Sequence, residues 1–281
     1  MTLTQEVVAG AGLEGLRAEL ERLGRVVVAF SGGADSAFLA KVAHDVLGPD
    51  RVLCATAVSP SLAPAEEDDC RALAAEWGLR WVAVATDELE DPRYVANGPD
   101  RCARCKTALM EVLGPLARRE SATVVLGVNV DDLGDHRPGQ QAAAGAGAAF
   151  PLVAAGFTKA RIRECSRRLG LRTWDKPAAA CLASRIPYGT PVALTTLRSV
   201  AAAEAALRAL GFVELRVRHH GDVARVEVAE GQLAMAVERR EEVVAAVRGA
   251  GYAFVALDLE GFRSGSLNRV LAGPRQAGGV R

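Results

Sequence analysis

Lysine is almost missing from this chain: only Lys41, Lys106, Lys159 and Lys176 stand among 34 basic residues. Arginine carries nearly all the positive charge, a bias spread along the whole chain, which makes the four lysines positions to watch. Excess charge of either sign is missing as well, because 34 acidic residues bring the formal net charge to zero. This excludes the global basic field that draws proteins onto nucleic acid or acidic membranes and leaves only local patches. Long apolar runs are absent too. The uncharged stretch 140–157 is rich in Gly and Ala, contains Pro151 and is short for a bilayer span. The first ten residues lack a basic segment followed by an apolar core, so no secretory signal is expected and the chain reads as a cytoplasmic protein. Without such a signal, six cysteines point to thiols, metal ligands or catalysis rather than a disulfide framework.

Half of the 281 residues are apolar, enough for a large domain and a smaller one. Leu13, Leu16, Leu20 and Leu23 have helical spacing. The VVVAF run that follows is continuous and β-branched, as in a strand buried on both faces of a parallel sheet. Helices are then expected at 36–47, 65–77 and 102–117, alternating with strands at 52–58, 81–85 and 123–128. That alternation predicts a doubly wound α/β fold with a mainly parallel sheet over 1–190. From 191 to 272 the pattern changes to helix 196–210, strands 213–219 and 224–228, helix 233–247 and strand 252–257, a smaller α+β domain. The Pro- and Gly-bearing stretch 171–191 reads as the junction and 273–281 as a disordered tail.

The most specific local feature is Ser31-Gly32-Gly33-Ala34-Asp35-Ser36, directly after a buried strand and opening a helix. Two glycines let backbone N–H groups curl around an anion, and the helix N-terminus adds unpaired donors. Ser31 and Ser36 add hydroxyls. No Lys-Ser/Thr pair follows, so the loop is not a Walker A grip for γ-phosphoryl transfer. Asp35 offers a carboxylate to Mg2+ beside departing phosphates. The plainer alternative is a Gly-rich turn whose Asp35 or Ser36 merely caps a helix.

SGGADS is similar to the signature of the PP-loop ATP pyrophosphatases, the superfamily of asparagine synthetases, NAD synthetases and tRNA thiolation enzymes. The resemblance implies cleavage of ATP between its α- and β-phosphates, with Mg2+, to give an adenylate. Further stretches narrow it: Asn97-Gly98-Pro99-Asp100-Arg101-Cys102 through Cys105-Lys106; Gly127-Val128-Asn129-Val130-Asp131-Asp132 with Asp135 and Arg137-Pro138-Gly139; Trp174-Asp175-Lys176-Pro177; Ala180-Cys181-Leu182-Ala183-Ser184-Arg185-Ile186-Pro187-Tyr188-Gly189; and Arg216-Val217-Arg218-His219-His220-Gly221. Together, over nearly the whole chain, they resemble the LarE family, ATP-dependent sulfur transferases of nickel-pincer nucleotide cofactor synthesis. That implies adenylation of the carboxylates of pyridinium-3,5-biscarboxylic acid mononucleotide and their conversion to thiocarboxylates. It also implies a homo-oligomer, in the extreme a hexamer, with a small-molecule nucleotide substrate and no membrane partner. On this resemblance Ser31, Gly32, Gly33, Asp35, Ser36, Ala57 and Asn129 contact ATP, and Lys106 joins Asp35 and Cys181 in catalysis.

The residues carry their own readings. The cluster Asn129-x-Asp131-Asp132 follows a buried strand and should lie at the sheet's carboxyl edge, where ligands bind; Asp132 is a second Mg2+ candidate, and a solvated Asx turn is the alternative. Arg216 and Arg218 alternate along one strand face, which suits a phosphate clamp, or else a merely solvated face. Glu227 on the next strand is placed to orient one of them, and His219 and His220 read as structural. Cys181 has Lys176 and Arg185 nearby in sequence, cations that would raise its thiolate fraction. In some LarE proteins the matching cysteine surrenders its sulfur and ends as dehydroalanine; others are thought to carry a [4Fe-4S] cluster on three cysteines. Cys102-x-x-Cys105 together with Cys181 suits a cluster better than a closed zinc site, provided the three converge, while a sacrificial Cys181 is the alternative. Cys54, Cys70 and Cys165 read as small core residues. A tRNA thiolation enzyme and a catalytically silent nucleotide-binding protein are the competing functions. The neutral charge argues against the first.

Overall fold

The computed structural model describes residues 3–134, 138–177 and 180–263. Asp135, Arg137 and the 273–281 tail lie outside the described residues. The chain divides into two compact units, Met1–Ala179 and Ala180–Arg281, at a point inside the Pro- and Gly-bearing stretch.

The first unit is built on four parallel strands. β1 (Val26–Ala29) lies between β2 (Val52–Val58) and β4 (Thr123–Leu126), and β3 (Trp81–Ala85) extends the sheet beyond β2, giving the order β3-β2-β1-β4. Parallel neighbours need long crossovers. These are supplied by α2 (Ala34–Leu47), α3 (Pro64–Trp77), and the short α4 (Pro92–Val95) with the long α5 (Arg101–Arg119). Alternate strand residues feed two cores, as the period of a strand requires. Val26, Val28, Cys54 and Val125 pack with Leu16 and Leu20 of α1 (Leu3–Leu23), with α2, and with Phe157 and Ile162. The rings of Phe38 and Phe157 lie 5.3 Å apart there. Val27, Leu53, Ala55, Val124 and Leu126 instead meet Leu109, Met110, Leu113 and Leu116 of α5. With both faces covered, the strands have to be apolar throughout, and the β-branched runs are the result.

The sequence-predicted strands and helices of this unit are present, with β2 and β3 at the expected bounds. Three helices had no expectation: α6 (Pro138–Gly145) and α7 (Pro151–Ala154) inside the uncharged stretch, and α8 (Lys159–Arg168) after it. Helix α6 packs closely on α5 because Gly139 has no side chain: a β-carbon there would come within 3.0 Å of the Cys102 carbonyl oxygen and 2.8 Å of Lys106 Cγ.

In the second unit, α9 (Leu194–Ala209) packs on a sheet of order β5-β6-β7. β5 (Leu215–His220) and β6 (Val223–Val228) are antiparallel, and β7 (Phe254–Leu257) joins β6 in parallel. The expected single helix 233–247 is two, α10 (Leu233–Glu238) and α11 (Arg240–Gly249). The break falls at Arg239, whose backbone leaves the helical region (φ −97°, ψ 27°). Its guanidinium donates to the Leu210 carbonyl at 2.6 Å and pairs with Glu242 at 2.7 Å.

Candidate active site

At the carboxyl end of β1 the chain turns through Ser31, Gly32 and Gly33 into α2, and β4 ends alongside. In a sheet of this order the neighbours β1 and β4 run into helices on opposite faces, so the crevice at their carboxyl ends is where an open α/β fold takes a ligand. The loop is tied by its own serines. Ser36 Oγ accepts from the Ser31 N–H at 3.2 Å, lies 3.1 Å from Ser31 Oγ and donates to the Gly33 carbonyl at 3.1 Å. Gly33 is the N-cap of α2 and supplies no side-chain cap. The first-turn N–H groups are thereby left for an anion, as at other phosphate-binding helix starts. Gly32 needs to be glycine twice over: its φ is +66°, and a β-carbon would lie 2.9 Å from Cys70 Sγ. Thr56 Oγ1 donates to the Phe30 carbonyl at 2.7 Å and accepts from Trp81 Nε1 at 2.8 Å, fixing the exit of β1. Ala57, the next residue of β2, stands partly exposed beyond the last β1–β2 pair, Ala29 with Ala55.

Asp35 and the cluster after β4 meet at this edge. Asp35 Oδ2 accepts from Asn129 Nδ2 at 3.3 Å, while Asp35 Oδ1 is buried with no hydrogen-bond partner. Burial raises the Asp35 pKa, the nearby Asp132 charge adds to this, and Lys159 and the Asn129 bond oppose it. Asn129, fully buried, accepts at Oδ1 from the N–H groups of Asp131 (3.0 Å) and Asp132 (3.3 Å), and Asp132 Oδ2 accepts from its N–H at 3.2 Å. Asp131 caps the start of α8 through the Lys159 N–H at 2.7 Å. A buried carboxylate oxygen without a donor, beside a second carboxylate and a phosphate loop, suits a hard cation that keeps most of its water. The residues present therefore fit Mg2+, which Asp35 and Asp132 would hold. Lys106 lies on α5, its stem under Gly139, and among the described residues no hydrogen bond or ion pair links it to Asp35.

The second unit gathers Cys181 with the arginines. A short 3-10 turn, Leu182–Arg185, follows the half-buried Cys181. Arg185 was expected as a cation acting on the Cys181 thiol, but its guanidinium is buried and committed: it pairs with Glu204 at 2.8 and 3.1 Å and donates to the Cys181 carbonyl at 3.0 Å. It positions the backbone of Cys181. Lys176, the other expected cation, is held within the first unit by Glu66 and Asp69 at 2.8 and 2.7 Å. Glu204 was missed from the sequence. It is 1% exposed and also takes Arg208 at 3.1 Å and the Val217 N–H at 3.1 Å. Burial pushes its carboxyl up, but Arg185, Val217 and Arg208 outweigh this and hold it below the usual range. The signal was a lone acid on the apolar face of α9, among Leu197, Val200, Ala203 and Leu207.

Arg216 and Arg218 project from one face of β5. Arg218 makes a two-pronged bond to Glu227 at 3.0 and 2.8 Å and donates to the Ser184 carbonyl at 2.9 Å. Arg216 lies 4.9 Å over the Phe262 ring. Burial, with Arg185, Arg218 and Arg208 nearby, lowers its pKa to about 10, with Glu204 opposing. The His219 ring meets that of Tyr252 at a tilt, with centroids 5.8 Å apart. Cys54, Cys70 and Cys165 are buried, and burial raises the first two thiols to about 12 and about 11. Cys102 is exposed and Cys105 half-buried, one turn apart at the start of α5, and none of the six cysteines is in a disulfide. Among the described residues no group of three or more Cys, His, Asp or Glu side chains is arranged to hold a metal.

A parallel sheet whose first strand opens into a serine-tied double-glycine loop, with an acidic cluster after its neighbour, defines an ATP-using PP-loop domain of the pyrophosphatase kind. The NAD synthase family model accordingly matches residues 13–91. The chain is 38% identical over 257 residues to pyridinium-3,5-bisthiocarboxylic acid mononucleotide synthase of Lactiplantibacillus plantarum, covering 91% of this chain and 93% of that protein. It is also 45% identical over 262 residues to an uncharacterized protein of Synechocystis sp., covering 92% and 97%. A protein of Methanocaldococcus jannaschii, likewise uncharacterized, is 25% identical over 241 residues, covering 85% and 91%. The chain belongs to the LarE family, that of the Lactiplantibacillus synthase. No helix among the described residues is long and apolar enough to cross a membrane.

Proposed function

We propose that this protein adenylates the carboxylates of pyridinium-3,5-biscarboxylic acid mononucleotide and replaces an oxygen of each by sulfur. The observation that carries the reading is Asp35, whose partnerless buried oxygen stands at the N-terminus of the loop helix. The loop N–H groups and the Ser31 and Ser36 hydroxyls bind the phosphates, Ala57 and Asn129 line the nucleotide, and Lys106 supplies positive charge. Asp35 and Asp132 would hold Mg2+, which neutralises charge at the phosphates. A substrate carboxylate oxygen attacks the α-phosphorus, and pyrophosphate leaves with the bonding pair. Carboxylate oxygen is a poor leaving group until AMP is attached; a sulfur nucleophile then expels AMP. Arg216 and Arg218, the latter oriented by Glu227, take the substrate's phosphate. The protein works as a homo-oligomer.

Sulfur enters at Cys181, whose carbonyl Arg185 fixes. In the sacrificial route the Cys181 thiolate displaces AMP, then loss of the Cα proton and cleavage of Cβ–S leave dehydroalanine and the thiocarboxylate. The cluster route, in which Cys102, Cys105 and Cys181 together carry a [4Fe-4S]-bound sulfide, is favoured by the i,i+3 thiol pair on α5. Intact mass measured anaerobically before and after incubation with ATP, Mg2+ and the biscarboxylated nucleotide decides between them. Loss of the elements of hydrogen sulfide at Cys181 is expected for the first, an unchanged polypeptide with thiolated product for the second. Retained transfer in Cys102→Ser and Cys105→Ser would remove the cluster. AMP without thiolated product would refute the substrate, and salt-dependent tRNA binding would redirect it to tRNA thiolation.

A further inference from the structure

Lys176 ends where no sequence argument put it. Its side chain, 19% exposed, runs to α3 and places its ammonium between Glu66 (2.8 Å) and Asp69 (2.7 Å). Asp69 is pinned from its other side by Arg172 at 2.7 Å, and Arg172 also holds Glu76 at 2.9 Å, so the 172–176 segment is clipped to α3 at two points. The same ammonium lies 3.7 Å from the position a β-carbon on Gly32 would occupy. An ammonium has three donors, and two go to the carboxylates. Absence of a side chain at Gly32 keeps the way from the third donor to the loop open.

Two carboxylates beside a phosphate loop would repel a triphosphate if nothing neutralised them. We infer that Lys176 is the loop's own phosphate-binding cation: its remaining N–H meets an oxygen of the pyrophosphate part of ATP beside Gly32, while Glu66 and Asp69 hold the ammonium in place. This supplies from a distant segment the lysine that the loop sequence lacks. The inference rests on the adenylating reading, because it assigns to Lys176 the charge that builds on pyrophosphate as the bond from the α-phosphorus breaks. The carboxylates prevent the lysine from neutralising, since their hydrogen bonds outweigh burial and raise its pKa.

The test is calorimetric binding of MgATP, magnesium pyrophosphate and AMP to the full chain. AMP lacks the part of ATP that Lys176 would touch. Lys176→Met should weaken ATP and pyrophosphate about tenfold, the worth of one charge-assisted hydrogen bond, and leave AMP unchanged. Lys176→Arg should restore part of the loss. Glu66→Gln with Asp69→Asn breaks the same ion pairs but keeps the ammonium, and should retain or strengthen pyrophosphate binding. Unaltered ATP and pyrophosphate affinity in Lys176→Met would overturn the inference, as would an equal loss in the double variant, which would mark the ion pairs as a structural clip alone. Wild-type protein that bound no ATP would overturn the adenylating reading along with it.

Discussion

Replacing Gly127 by alanine tests the architecture of the site without touching any group that contacts a ligand. The residue follows β4 and faces the first turn of α2, where a β-carbon would come within 2.8 Å of the Ser36 nitrogen, 2.9 Å of its Cα and 3.0 Å of the Asp35 carbonyl carbon. Ordinary contact begins near 3.4 Å, so one side must yield by about 0.6 Å. The atoms met are backbone, which no rotamer change can move. Overpacking of this kind costs roughly 1–3 kcal/mol. The displaced element is the helix start that carries both the phosphate donors and Asp35, and a shift approaching an ångström at reacting groups lowers rates by about a hundredfold. Thermal melting and pyrophosphate release with the biscarboxylated nucleotide measure the two effects separately. A Gly127→Ala protein that melts lower yet releases pyrophosphate at the wild-type rate would refute the claim that this contact sets the loop's position.

Two further substitutions probe the charges. Glu204→Ala leaves the buried Arg185 guanidinium without its carboxylate and should cost about 3–5 kcal/mol by denaturant titration; a loss under about 1 kcal/mol would show that water or another acid replaces it. Because the folded-state pKa of Glu204 is depressed, its contribution is complete above the unfolded carboxyl pKa and disappears as the pH falls through the lower folded value, so the gap between the two proteins should close in acid. Asp35→Asn should cut pyrophosphate release about a hundredfold or more yet melt at or above wild type at neutral pH, because burial disfavours the charged form. The sign is opposite to that of Glu204: a raised pKa means that wild type recovers stability as the pH falls through the folded value. Mg2+ should raise the melting temperature of wild type but not of Asp35→Asn, and equal stabilisation of both would remove Asp35 from the metal site.

The sheet was legible because a strand buried on both faces has to be written in apolar residues without a polar alternate, as the valine run opening Val26–Ala29 and the mainly apolar Val52–Val58 are. Helix α8 was not. Its segment KARIRECSRR turns only Ile162 and Cys165 of its apolar residues to the core, too few for a periodic signal, and its start depends on Thr158 and a distant Asp131. Helices α6 and α7 lie in a run of Ala and Gly where apolar and polar positions do not alternate. In the site, Ser31, Asp35 and Asn129 converge as their place after neighbouring strands implied. The partners of Arg185 and Lys176 were not legible because proximity along the chain says nothing about carboxylates arriving from elsewhere: Glu204 lies 19 residues from Arg185, and Glu66 110 from Lys176.

The burial of three thiols divides the chain's sulfur into two populations. Burial pushes the Cys54 thiol up to about 12 and the Cys70 thiol up to about 11, so both stay protonated at neutral pH. Electrophiles and oxidants therefore find Cys102, Cys105 and Cys181 and pass over the rest. A protein whose trade is reactive sulfur has to keep its structural sulfur out of circulation, and here the hydrophobic core serves as that quarantine.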